Sequence, residues 1–183
     1  MGELCHGAQL HNLEIKPVKV YDRTGNDDAG VRLGRESGLF TVETRLFLPR
    51  PLEFVFPFFS DAGNLETITP PWLRFEILTP RPILMRAGTL IKYRLRLHGI
   101  PLRWCSEITA WEPPHRFVDE QRRGPYRTWI HEHTFANCAG GCEVCDFVRY
   151  APPGGWLGDF LIVRRDVRKI FEYRVGRLRE MLG

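Results

Sequence analysis

Apolar and polar positions alternate with period two through most of the chain beyond residue 39, then change to helical spacing near its end. FTVETRLFL (Phe40–Leu48) alternates as a strand. PRPLEFVFPFFS follows, with Pro51 suited to a first helical turn and Pro57 placed to bend or end that short helix. DAGNLETITPPW predicts a second short helix, stopped by Pro70 and Pro71. Strand-like runs then occupy Arg74–Leu78, Thr89–His98, Leu102–Trp111, Arg116–Arg122, Tyr126–Phe135 and Cys142–Tyr150. HGIP, EPPH, RRGP and NCAGG punctuate them, and connections this short imply antiparallel neighbours.

From Trp156 to Leu182 the period becomes helical, with Phe160, Val163, Val167, Ile170, Phe171, Val175, Leu178 and Leu182 recurring on one face. Arg164, Arg165, Arg168, Arg174 and Arg177 mostly take the other, read as a solvated face. The expected fold class is therefore α+β. A curved antiparallel sheet of about seven strands wraps a long C-terminal helix, with two short helices after the first strand. A curved sheet cannot bury its concave face alone, so the helix lies across it, leaving room for a cavity between them.

Residues 1–38 differ in composition. They hold six glycines and a single aromatic, Tyr21, and include the stretch TGNDDAG. Too little apolar surface is present to offset the entropy of ordering, so a flexible tail is expected over 1–38, with a short strand near Leu13–Val20 as its one candidate element. The ligand-binding domain is expected over 39–183.

The whole chain has 26 Lys+Arg against 22 Asp+Glu, a net charge of +4. So mild an excess does not point to nucleic acid. No apolar run is long enough for a membrane-spanning helix. The N-terminus does not read as a secretory signal, and five cysteines (Cys5, Cys105, Cys138, Cys142, Cys145) fit reduced thiols, so a cytoplasmic location is expected. Cys138, Cys142 and Cys145 lack an obvious fourth ligand and read as hairpin packing, with Cys142 and Cys145 on opposite faces of one strand. Phosphate loops and a nucleophile elbow are missing from the sequence, and Cys142-x2-Cys145, split between two strand faces, does not read as a redox pair.

Strand parity sorts the candidate chemistry. Ile91, Tyr93, Leu95 and Leu97 share one face of their strand, opposite Lys92, Arg94 and Arg96, and so point inward. Leu102, Trp104, Ser106 and Ile108 do the same in the next. In Tyr126–Phe135, Trp129 and Phe135 draw Arg127, His131 and His133 inward. Phe117 draws in Asp119 and Gln121, and Val144, Val148 and Tyr150 draw in Asp146. The outcome is an apolar cavity bearing a polar stripe.

Buried charges require partners. The leading reading of the stripe is a structural network in which Asp119 and Asp146 hold the imidazoles and Arg127. A second has part of that network binding a ligand's polar head. A third is general acid–base catalysis by His131 or His133, oriented by Asp119 or Asp146. The last is a metal held by His131, His133 and a carboxylate, set behind hydrogen bonding in order of preference. Asn64, Thr69 and Trp72 read as capping and packing residues near the mouth, and Gly124-Pro125 as a hairpin turn.

Three long phrases, NLETITPPWLRFEILTP (Asn64–Pro80), GTLIKYRLRLHGIPLRWCSEITAWEPP (Gly88–Pro114) and FVDEQRRGPYRTWIHEHTF (Phe117–Phe135), resemble the START/polyketide-cyclase (SRPBCC) superfamily, in a bacterial subgroup described only as ligand-binding. DFVRYAPPGG (Asp146–Gly155) adds a weaker match. Two features depart from the family pattern: Pro57 interrupts an FxFF-like helical run, and the N-terminal segment is long. The resemblance implies a helix-grip fold around a pocket for a small hydrophobic molecule such as a lipid, isoprenoid or polyketide-like compound. Ligand contacts are then expected from Tyr93, Leu95, Trp104, Asp119, Gln121, Arg127, Trp129, His131, His133, Phe135, Asp146 and Phe160, with Val167 behind them. No cofactor is expected. The alternative is a cyclase- or dehydratase-type enzyme using the cavity histidines as acid and base.

Overall fold

The structure, a computed structural model, describes residues 30–183. Eight strands form one antiparallel sheet in the order β1-β2-β8-β7-β6-β5-β4-β3. They are β1 (Arg32–Glu36), β2 (Leu39–Leu48), β3 (Glu76–Ile77), β4 (Leu90–Leu97), β5 (Ile100–Glu112), β6 (Arg116–Arg123), β7 (Thr128–Cys138) and β8 (Gly141–Ala151). Between β2 and β3 lie the helix α1 (Leu52–Ser60) and two 3₁₀ turns, Ala62–Glu66 and Pro71–Leu73. The chain closes with a helical turn α2 (Gly155–Gly158), a π-helical turn (Asp159–Val163) and the long helix α3 (Arg164–Leu182). The α+β helix-grip architecture is as the element order predicted.

The sheet starts earlier than expected. β1 lies inside the segment read as tail and pairs Arg32 to Glu36 against Glu43 to Leu39. Only Leu33 of its RLGRE sequence is more than marginally covered, so backbone pairing rather than an apolar face holds it. The described sheet thus includes residues ahead of Leu39. The candidate strand at Leu13–Val20 and the other tail residues up to 29 lie outside the described residues. At the other edge, Arg74–Leu78 shrinks to the two-residue β3.

Helix α1 begins at Pro51, whose carbonyl accepts from Phe54 N (2.9 Å) and Val55 N (3.1 Å). It buries Leu52, Val55 and Phe56. Pro57 does not end it, since the helix runs three residues further, to Ser60. The hydrogen bond that Pro57 cannot donate would reach Glu53, an exposed residue, where solvent can serve the carbonyl.

Helix α3 turns Val167, Phe171, Val175, Leu178 and Leu182 onto the sheet. Its lower half packs with Leu46, Phe56, Phe135 and Val144, and its upper half with Val42, Val148 and Tyr150. β5 is irregular against β6 at Cys105/Ser106 and Ile108/Ala110, which adds local bending to the sheet. The sheet interior beside α3 is left as a cavity.

Candidate functional site

The cavity measures about 240 Å³. β4 contributes Ile91, Tyr93, Leu95 and Leu97, and β5 contributes Leu102, Trp104, Ser106 and Ile108, the two inward sets that parity assigned. β6 adds Phe117 and Asp119, and β7 adds Trp129, His131 and His133. Val167, Ile170, Phe171 and Arg174 face them from α3, while Phe59, Leu65 and Thr69 close the side under α1.

One wall is aromatic. Tyr93 stacks on Trp104 at 5.8 Å between ring centroids, Trp104 meets Trp129 edge-on at 5.4 Å, and Tyr126 lies 4.7 Å from Trp129. A polar chain crosses it. Trp104 Nε1 donates to Ser106 Oγ at 3.1 Å, Ser106 Oγ donates to Asp119 Oδ1 at 3.1 Å, and the Tyr93 hydroxyl lies 3.2 Å from the same Oγ.

Register sets up the cluster at its end. Asp119 on β6 is paired across the sheet with His131 on β7, and His133 is paired with Asp146 on β8. Asp119 Oδ2 lies 3.5 Å from both His131 Nδ1 and His133 Nε2. Asp146 Oδ1 lies 3.5 Å from His131 Nε2 and 2.6 Å from His133 Nδ1, and these three buried atoms have no hydrogen-bond partner. The imidazoles are 3.8 Å apart, and Phe117 stacks on His133 at 4.2 Å. His131, His133 and Asp146 are all buried, at 4%, 4% and 3% exposure.

The charges are interdependent. Burial and then the neighbouring His133 push His131 below the ordinary imidazole range, despite Asp146 and Asp119. Burial also acts against protonated His133, but Asp146 and Asp119 together outweigh it and raise that ring. Burial would raise both carboxyls, yet the imidazoles hold Asp119 low and Asp146 well below the usual carboxylate range. The carboxylates and imidazoles thus stabilise one another's charged forms against burial.

Tyr93, Leu95, Trp104, Asp119, Trp129, His131, His133 and Val167 line the cavity as the sequence predicts. Other expected contacts do not. Phe135 points inward but packs among Phe56, Phe59 and Phe117 in the core rather than at the cavity. Asp146 stands behind the imidazoles. Gln121 is spent on the β6–β7 turn, donating from Nε2 to Tyr126 O at 2.6 Å and accepting at Oε1 from Tyr126 N at 3.3 Å. Arg127 is exposed, because strand pairing resumes only at Thr128 and parity fails in the turn before it. Phe160 is 71% exposed, because the π-helical turn inserts a residue and buries Asp159 instead.

Sequence parity missed Arg174 and Tyr126. Arg174 was read with the solvated arginines, yet it enters the cavity wall with its guanidinium 5.3 Å from the Phe171 ring and its Nε buried without a partner. Its position four residues after Ile170 and three after Phe171 was the available signal. Asn64 and Thr69 cap backbone as expected, donating to Phe58 O (2.9 Å) and Leu65 O (2.6 Å), and both also border the cavity.

Residues 48–178 match the family model described as polyketide cyclase / dehydrase and lipid transport. No curated protein matches significantly. Among solved structures, Ms6760 from Mycobacterium smegmatis is similar with TM-score 0.62 and 18% identity, over 83% of this chain and 97% of that one. CV1439 from Chromobacterium violaceum is similar with TM-score 0.62 and 16% identity, over 78% and 96%. Ara h 8.0201 gives TM-score 0.58 and 16% identity, over 79% and 98%. Identities this low establish the shared fold and leave the cavity chemistry to be argued from this chain.

Proposed function

Because the chain belongs to the polyketide cyclase/dehydrase and lipid transport family, we propose that its cavity binds one small, largely hydrophobic molecule, of lipid, isoprenoid or polyketide-like character. The observation that carries this reading is the contrast within one cavity. An aromatic wall of Tyr93, Trp104 and Trp129 faces α3, while Asp119, the imidazoles and Arg174 supply polar groups. Apolar lining provides affinity and a few placed polar groups provide orientation. Arg174, with its buried Nε unpaired, favours a ligand carrying a carboxylate or another strong acceptor.

Two tryptophans on the wall make the test direct. Titration with matched fatty acids and alcohols, followed by tryptophan emission, is expected to give saturable binding at one site with the acids favoured. Lack of saturation with any apolar probe would contradict the reading.

A second reading, proton transfer of cyclase or dehydratase type, draws on His131 and His133 at the cavity wall, where burial and their shared carboxylates push the two rings' pKa values in opposite directions. Turnover lost in His131→Ala and His133→Ala, with ligand binding retained, would support it over simple carriage.

A further inference from the structure

We propose that Asp119, His131 and His133 form a binding site for one divalent transition-metal ion of the zinc class, with Asp146 as the outer carboxylate that orients both rings. The proposal stands whichever hydrophobic molecule fills the cavity. The three residues can each offer one donor atom, and these atoms lie within 4.8 Å of one another. Zinc bonds to imidazole nitrogen and carboxylate oxygen are about 2.0–2.2 Å, so donors around a tetrahedral ion stand roughly 3.3–3.5 Å apart. Asp119 Oδ2 is 3.5 Å from His131 Nδ1 and 3.5 Å from His133 Nε2, too long for good hydrogen bonds and close to that spacing.

Orientation agrees with distance. Asp146 Oδ1 stands 2.6 Å from His133 Nδ1, so the carboxylate occupies that side of the ring and Nε2 is the nitrogen left facing Asp119. His131 can follow the same pattern, with Nε2 toward Asp146 and Nδ1 toward Asp119. Three acceptor atoms then face one shared space, within 4.8 Å of one another, and a single shared proton can bridge only two of them. Ser106 holds the other oxygen of Asp119, leaving Oδ2 free to ligate. A carboxylate behind metal-binding imidazoles is the usual outer arrangement.

Charge points the same way. Two carboxylates and two neutral imidazoles carry −2 within the cluster, and one divalent ion cancels it where burial makes residual charge expensive. Asp119, His131 and His133 all border the cavity, so a fourth coordination position would open toward its contents. Borderline nitrogen and oxygen donors suit zinc or cobalt better than magnesium or calcium.

The test uses the untagged full-length chain, stripped with chelator and then equilibrated with Co²⁺ or Zn²⁺ alone. Metal content is read by mass spectrometry and cobalt coordination by visible absorption. The expected result is about one ion per chain, with the intense bands of a low-symmetry four- or five-coordinate cobalt site. Asp119→Asn and His133→Gln abolish stoichiometric retention, Asp146→Asn weakens it about 10–100-fold, and Cys138→Ser, at the exposed β7–β8 turn and outside the donor set, leaves it unchanged. Circular dichroism establishes which variants fold. If His133→Gln does not, the half-buried Asp119→Asn decides. Failure of the folded wild type to retain an ion, retention unchanged in folded Asp119→Asn, or a thiolate-to-cobalt absorption band would overturn the proposal. None of these readouts needs a hydrophobic ligand, so the site and the ligand reading fail separately.

Discussion

Tyr150 donates a 2.7 Å hydrogen bond from its hydroxyl to Asp159 Oδ1, and both side chains are sealed from solvent. The bond fastens the end of β8 to the π-helical turn that introduces α3. It also explains why a polar residue, rather than Phe160, faces inward there. Tyr150→Phe leaves a buried carboxylate without this donor and is expected to cost about 1.5–3 kcal/mol. Chemical denaturation measures the loss; unchanged stability would show that the turn does not depend on the bond.

The β7–β8 hairpin contains a position that only glycine can fill. A Cβ on Gly141 would stand 2.1 Å from the Leu48 carbonyl oxygen on β2. Gly141→Ala is therefore expected to push the strands apart and destabilise by about 2 kcal/mol or more. Gly99, with φ +81° and no atom near an added Cβ, provides the contrast. Gly99→Ala bears only the left-handed backbone penalty, about 1–2 kcal/mol. Equal losses in the two variants, measured by thermal unfolding, would contradict the steric account.

Thiol reactivity should separate the hairpin cysteines. Burial pushes the Cys142 thiol up to about 11 and the Cys145 thiol up to about 12, with Glu143 adding to the rise in both. Cys138 is exposed at the turn and Cys142 is fully buried. The raised values keep thiolate scarce at pH 8, and its fraction grows about tenfold per pH unit below them. Alkylation followed by peptide mapping is expected to modify Cys138 first, with Cys142 and Cys145 lagging and accelerating between pH 8 and 10. Simultaneous labelling at pH 8 would contradict the packing.

Strand faces were legible in the sequence because the inward stretches of β4, β5 and β7 alternate, so Trp129 and Phe135 together placed His131 and His133 inside. Parity reports a face and not a depth, which is why Phe135 entered the core and Asp146 fell behind the rings. Where periodicity breaks, inference from it breaks too. Arg127 lies in a turn, Phe160 follows an inserted π-helical residue, and β1 has no apolar alternation to detect. Arg174 was hidden by its charge: a long side chain on the flank of a buried stripe can reach inward as easily as outward.

Arg174→Met tests what that guanidinium does. The variant keeps the length and apolar stem while removing the charge. Affinity for a fatty acid is expected to fall about tenfold or more, equivalent to about 1.4 kcal/mol, while affinity for the matched alcohol changes little. Isothermal titration reads both. Parallel losses would mean that Arg174 shapes the cavity without recognising an anion.

The cavity itself is tested most directly by what it carries. The full-length chain, purified in the presence of chelator, is extracted with organic solvent and the extract is identified by mass spectrometry, alongside a folded Val167→Trp variant. Val167 faces the cavity from α3, so a tryptophan there occupies the ligand's space. The account predicts a hydrophobic passenger at about one per wild-type chain, or saturable uptake when apolar probes are added, and loss of both in the variant. Equal passenger or equal uptake in wild type and Val167→Trp would place binding elsewhere and contradict the assignment of this cavity as the ligand site.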